Sequence, residues 1–198
     1  MNFTILEISI VTFLLAISGA IAQFPVGKIS DVYDRRKVII ASTFGAAIFA
    51  LITIFVSGQM YLPDGLATSK TWFYIFFILF SFCSLPMFSL ILAHTNDYIT
   101  KDKFVAAGAG LQFVFGLGAI SGPFLCSIFM DIVGSNGFFI FLFFFHAVIG
   151  IFGVYRMKVR KTVDNPDSQF VAMPQTITPA GIELNPTTEP IAEPEKTL

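Results

Sequence analysis

The chain has 198 residues, of which 55% are hydrophobic and only 13% charged, with a net charge of −1. Soluble domains carry about a quarter charged residues, so this composition excludes an ordinary water-soluble globular protein and places the chain in a bilayer. The balanced charge gives no sign of a nucleic-acid partner, and in a membrane the placement of the bases matters more than their sum.

Taken in order, the chain opens with Thr4-Ile5-Leu6-Glu7, the pattern of a capping box, in which a hydroxyl and a carboxylate meet the first free N–H groups of a helix. Glu7 is therefore read as a helix-start residue rather than a proton carrier. Residues 8–24 carry no charge and, with their flanks, reach the roughly 20 residues a helix needs to cross the hydrocarbon. This run lacks a basic leader and a small-residue cleavage site, so it reads as a mature helix, not a signal peptide. Pro25 and Gly27 are expected to end it, and a burst of charge from Lys28 to Lys37 follows as a tight turn.

A second apolar run covers 38–56, and 57–71, with Gly58, Pro63, Asp64 and Gly65, reads as a turn-rich loop. Trp72 and Tyr74 are placed as interfacial aromatics and open a third run to about residue 93. Pro86 is expected to kink that run, with Ser81, Ser84 and Ser89 as local partners for the freed carbonyl. A polar loop at 94–103 precedes a fourth run at 104–130, dense in Gly108, Gly110, Gly116, Gly118 and Gly122. After a short turn the fifth run spans 138–155, stopped by Arg156, Lys158, Arg160 and Lys161.

The fold class is thus an all-α integral membrane protein of five transmembrane helices, at about 5–25, 38–56, 72–93, 104–130 and 138–155. It forms a membrane domain over 1–161 and a tail over 162–198. Ten bases lie in alternate loops and at the end of the fifth run, against Lys70 alone on the other side. The positive-inside rule then puts the charged loops and the C-terminus in the cytoplasm and Met1 outside. The tail carries Pro174, Pro179, Pro186, Pro190 and Pro194 and reads as extended and mobile, although Phe170, Val171 and Met173 give it the means to lie back on the helix ends. Cys83 and Cys126 lie inside apolar runs without ligand spacing and read as packing residues.

The charged turn, Gly27-x-x-x-Asp31-x-x-x-Arg35-Arg36-Lys37, resembles the cytoplasmic loop motif of the major facilitator superfamily, G-x-x-x-D-R/K-x-G-R-R/K-R/K. Val32 stands where the motif has its first base and Asp34 where it has its second glycine, departures that resemble the copy between helices eight and nine. In physical terms, the glycine admits a close neighbour, and the aspartate can meet a helix N-terminus or the following arginines. A second element, Gly118-Ala119-Ile120-Ser121-Gly122-Pro123, resembles the G-x-x-x-G-P of the fifth helix of a facilitator half, in the same register. Gly118 and Gly122 lie one turn apart and offer a flat face for helix packing, and Pro123 bends the helix beside them. The tail from Phe170 to Pro174 and from Glu183 to Pro186 is also similar to tails of bacterial facilitators of unassigned substrate.

The resemblance covers helices eight to twelve of a twelve-helix carrier. It implies transport of a small solute by alternating access, inactive alone without a separately encoded helices-one-to-seven portion, in the inner (plasma) membrane. It also implies that Gln23 and Gln112 line the cavity. His146, the one ionisable group deep in a run, reads as a packing residue or the donor of a single backbone hydrogen bond. No catalytic set, metal site or cofactor is expected, because one buried histidine and two scattered cysteines supply no nucleophile–base pair or ligand cluster. The competing reading is a membrane scaffold without transport, or the remnant of a decayed gene.

Overall fold

The computed structural model describes residues 3–57, 70–160, 170–173 and 181. Helix α1 runs from Ile5 to Val32, α2 from Arg35 to Val56, α3 from Lys70 to Ser84, α4 from Met87 to Asn96, α5 from Phe104 to Val133 and α6 from Gly137 to Val159. Single 3-10 turns at Lys101–Lys103 and Gly134–Asn136 lead into α5 and α6. The loop at 58–69 and the prolines of the tail lie outside the described residues.

Four stretches are long and apolar enough to cross a membrane, and the last, Phe104–Val159, holds two helices. As one straight helix those 56 residues would extend about 84 Å, far beyond a hydrocarbon core of roughly 30 Å. Gly134, with φ of 78°, reverses the chain there, and the Phe129 ring meets Phe141 edge-on and lies tilted against Phe144 across the resulting hairpin. The outcome is five passes, as the sequence predicts.

The first helix corrects one expectation, because it passes through Pro25 and Gly27 and ends seven residues beyond Pro25, at Val32. A proline removes its own donor and crowds the carbonyl four residues back, but a chain at the edge of lipid satisfies its remaining backbone groups most readily by staying helical. The actual break is Tyr33-Asp34, where the Asp34 side chain accepts from the Arg36 N–H at 3.0 Å and caps α2. The residue that departs from the family's glycine is therefore the N-cap of the next helix.

Pro86 does more than kink the third run, dividing it into α3 and α4. The serines expected to satisfy its freed carbonyl serve elsewhere. Ser81 donates to the Leu15 carbonyl at 2.7 Å, Ser84 meets His146, and Ser89 bonds the tail. The first two bonds tie helices together and the third holds the tail, which in lipid is the more valuable use of a hydroxyl.

Helix α2 sits at the centre, against α3 and α6, and its inward face is small: Ala46, Ala47, Ala50, Thr43 and Thr53 are all buried. Both threonine hydroxyls bond the carbonyl four residues back, so no polar atom of theirs is left open. Small side chains let the backbones approach, and from α6 Gly150 faces Phe44 while Gly153 faces Ile40. Three apolar clusters stack along the bundle, around Leu90 at the charged end, Phe80 in the middle and Phe73 at the far end.

Candidate functional site

The charged residues meet at one end of the bundle. Arg35 is 7% exposed and reaches two carboxylates, Asp31 at 3.0 Å and Asp97, just past α4, at 3.4 Å. A buried guanidinium costs several kcal/mol in desolvation unless it is paired, and two carboxylates from different elements oppose that cost. Arg36 grips Asp34 with Nε at 3.1 Å and Nη2 at 2.8 Å, and its Nη1 donates to the Arg160 carbonyl at the end of α6 at 2.7 Å. The hydrogen bonds from Arg36 hold the Asp34 carboxyl below its ordinary range against the opposing effect of burial. Through these two arginines the α1–α2 hairpin is tied to the ends of both α4 and α6. Lys37, the last base of the motif, is exposed.

Gly27 and Asp31 have a partner that the sequence names only loosely. The Phe170 ring lies where a Cβ at residue 27 would stand, and the Phe170 N–H donates to the Asp31 carboxylate at 2.8 Å. Three residues on, Ser89 donates to the Met173 carbonyl at 2.9 Å and accepts its N–H at 3.1 Å, with Met173 buried. The motif's glycine does admit a close neighbour, but that neighbour is an aromatic ring from the chain's own tail. The apolar character of Phe170 and Met173 was the signal for this clip; Ser89 as its anchor carried none.

The other candidates are dispersed. Gln23 on α1 and Gln112 on α5 are both half-buried, and the Gln112 Oε1 is buried without a hydrogen-bond partner. Gly118 and Gly122 on α5 face open space, with nothing within 4 Å of a Cβ built at either, and Pro123 lies inside the same uninterrupted helix. His146 is packed edge-on against Phe80, with Nδ1 2.8 Å from the Leu142 carbonyl and Nε2 3.0 Å from the Ser84 hydroxyl. A neutral ring donating from Nδ1 and accepting at Nε2 satisfies both contacts, so the backbone bond expected of it is joined by a second bond across helices. At the opposite end Thr4 and Glu7 form the capping box, and Glu7 also pairs with Lys70 at 2.6 Å. Among the described residues no group of three His, Cys, Asp or Glu is placed to hold a metal ion.

This architecture is that of a polytopic α-helical membrane protein whose first hairpin is locked by ion pairs at one end of the bundle. The sequence model of the Major Facilitator Superfamily matches residues 1–189, and the chain belongs to that superfamily. It is 27% identical over 160 residues to an uncharacterized MFS-type transporter of Yersinia enterocolitica, covering 81% of this chain and 37% of that protein. An uncharacterized MFS-type transporter of Yersinia pestis is 24% identical over the same shares. The Bacillus subtilis transporter YfkF is 26% identical over 140 residues, covering 68% of this chain and 32% of that protein. The chain thus spans about a third of the length of the curated relatives it matches. No solved structure matches it.

Proposed function

We propose that the chain is the helices eight-to-twelve portion of a facilitator-type secondary transporter, moving a small solute by alternating access only when joined by the seven preceding helices. In that arrangement the charged end is cytoplasmic, the start of α1 is outside, and Gln23 and Gln112 line a cavity shared with the missing helices. The observation that most supports this reading is the face of α5, where Gly118 and Gly122, one turn apart, are open. Small residues aligned on a membrane helix allow close backbone contact, and no described helix takes that place here. The Arg35 and Arg36 locks give the hairpin a fixed end about which a half-bundle rocks as a unit.

The test is co-expression with the seven apolar spans encoded upstream. The lone chain should accumulate poorly and show no uptake in liposomes, whereas the pair should co-purify and recover first protein level and then transport. An upstream region without such spans, or robust uptake by the lone chain, would overturn the proposal. A C-terminal tag reached from outside intact cells would reverse the orientation.

A further inference from the structure

A groove opens on the outer side of the bundle at its charged end, between α2, α4 and α6, enclosing ≈ 240 Å³. Its walls are apolar, and three of the residues along it, Ile91, Ile149 and Phe152, are exposed on the outer surface of the bundle. Its rim is basic, formed by Arg36, Arg156 and Arg160. We propose that this groove binds an anionic phospholipid, with the phosphate held by Arg156 and Arg160 and the acyl chains lying along the isoleucine and phenylalanine wall.

The charge accounting favours these two arginines. The nearby carboxylates are engaged elsewhere: Asp34 is held by Arg36, and Asp97 by Arg35 with His94 at 3.9 Å. No carboxylate among the described residues pairs with Arg156 or Arg160. Arg160 lies over the Tyr98 ring at 5.1 Å, a contact that uses the face of the guanidinium and leaves the N–H donors along its edge for an anion. A soluble anion would need only the rim. The exposed apolar wall running from the rim into the membrane has no use for such a ligand but fits one that carries its own hydrocarbon, and basic pockets between helices at this depth suit lipid headgroups. This inference is independent of whether the chain transports a solute.

The full chain, purified in mild detergent, is titrated with phosphatidylglycerol, with phosphatidylcholine and with inorganic phosphate, and bound lipid is counted by native mass spectrometry. Phosphatidylglycerol should be retained about tenfold better than phosphatidylcholine, and inorganic phosphate should not displace it. The single variants Arg156→Gln and Arg160→Gln should each lose most of that preference, while Lys158→Gln, an equal charge change outside the groove, should stay within about twofold of the parent. Ile149→Trp, which narrows the wall without touching charge, should also reduce retention, so the result does not hang on one pair of substitutions. Equal loss in Lys158→Gln, equal retention of both lipids, or displacement by phosphate would each overturn the assignment.

Discussion

Helices α2 and α5 are built from similar materials and meet opposite fates. Both are long, apolar and rich in glycine and alanine. In α2 the small residues Ala46 and Ala50 are at most 1% exposed and let α3 and α6 come close. In α5 only Phe104 and Gly108 are buried, while Phe113, Ile120 and Phe124 are each more than 60% exposed. A stripe of small residues is therefore not itself a stabilising feature. It stabilises only where a partner backbone fills the space it leaves, and no described residue fills that space at Gly118 or Gly122 of α5.

The comparison is broken most severely from the α2 side. Ala46→Phe places a ring where there is no exposed surface, and overpacking of this kind costs about 1–3 kcal/mol or more. The expected result is loss of the folded chain from membranes, read as a large fall in melting temperature when Cys83 and Cys126 become reactive to a fluorogenic maleimide. A near-parental melting temperature would mean that α2 is not the packed centre.

Arg35→Gln comes next. It takes the guanidinium away from Asp97, 12% exposed and 3.9 Å from His94, and from Asp31, 34% exposed, which keeps the tail N–H. Breaking a fully buried pair costs about 3–5 kcal/mol, and the partial exposure of Asp31 discounts this to about 2–3 kcal/mol. Gly27→Leu should act more locally. The new side chain meets the Phe170 ring, the free end of the tail clip, so the helices should stay folded while protease cuts near residue 170 more readily. Unchanged cleavage would show that the clip is not held at Gly27.

These contrasts also mark how far the sequence could be read. Five passes were legible because a run of about 20 uncharged residues has few alternatives to a membrane helix. The hairpin motif was legible because Gly27, Asp31, Arg35 and Arg36 keep their spacing. The end of α1 was misplaced because Pro25 and Gly27 are stop signals in water, where a frayed end is solvated, and lose that force in lipid. The partners of Ser81, Ser84 and Ser89 were missed because a hydroxyl's choice between its own helix and the next depends on packing distance, which no local pattern encodes.

A smaller effect is expected at Asp34. Asp34→Ala removes the α2 cap at about 1 kcal/mol, whereas Asp34→Asn keeps a capping oxygen and loses the ion pair with Arg36. The native carboxyl titrates below its ordinary value of 3.8, so its contribution is complete above that value and disappears as pH falls through the lower, folded one. Melting temperature followed from pH 6 down to about pH 2 should fall less in Asp34→Asn than in the parent. Identical slopes would mean that the charge at this cap does not stabilise the fold.

The smallest effect is the sharpest test of the contrast between α2 and α5. Gly118→Leu and Gly122→Leu should leave the lone chain as stable as the parent or slightly more so, since nothing lies within 4 Å of either position. Leucine also improves on glycine in a helix, by somewhat less than the ~0.8–1 kcal/mol that separates glycine from alanine. The same substitutions should abolish co-purification with the seven complementary helices, because two added isobutyl groups hold the facing backbone away. A stable chain that no longer finds its mate would separate folding from assembly on one helix face. Destabilisation of the lone chain would instead mean that the glycines pack within it.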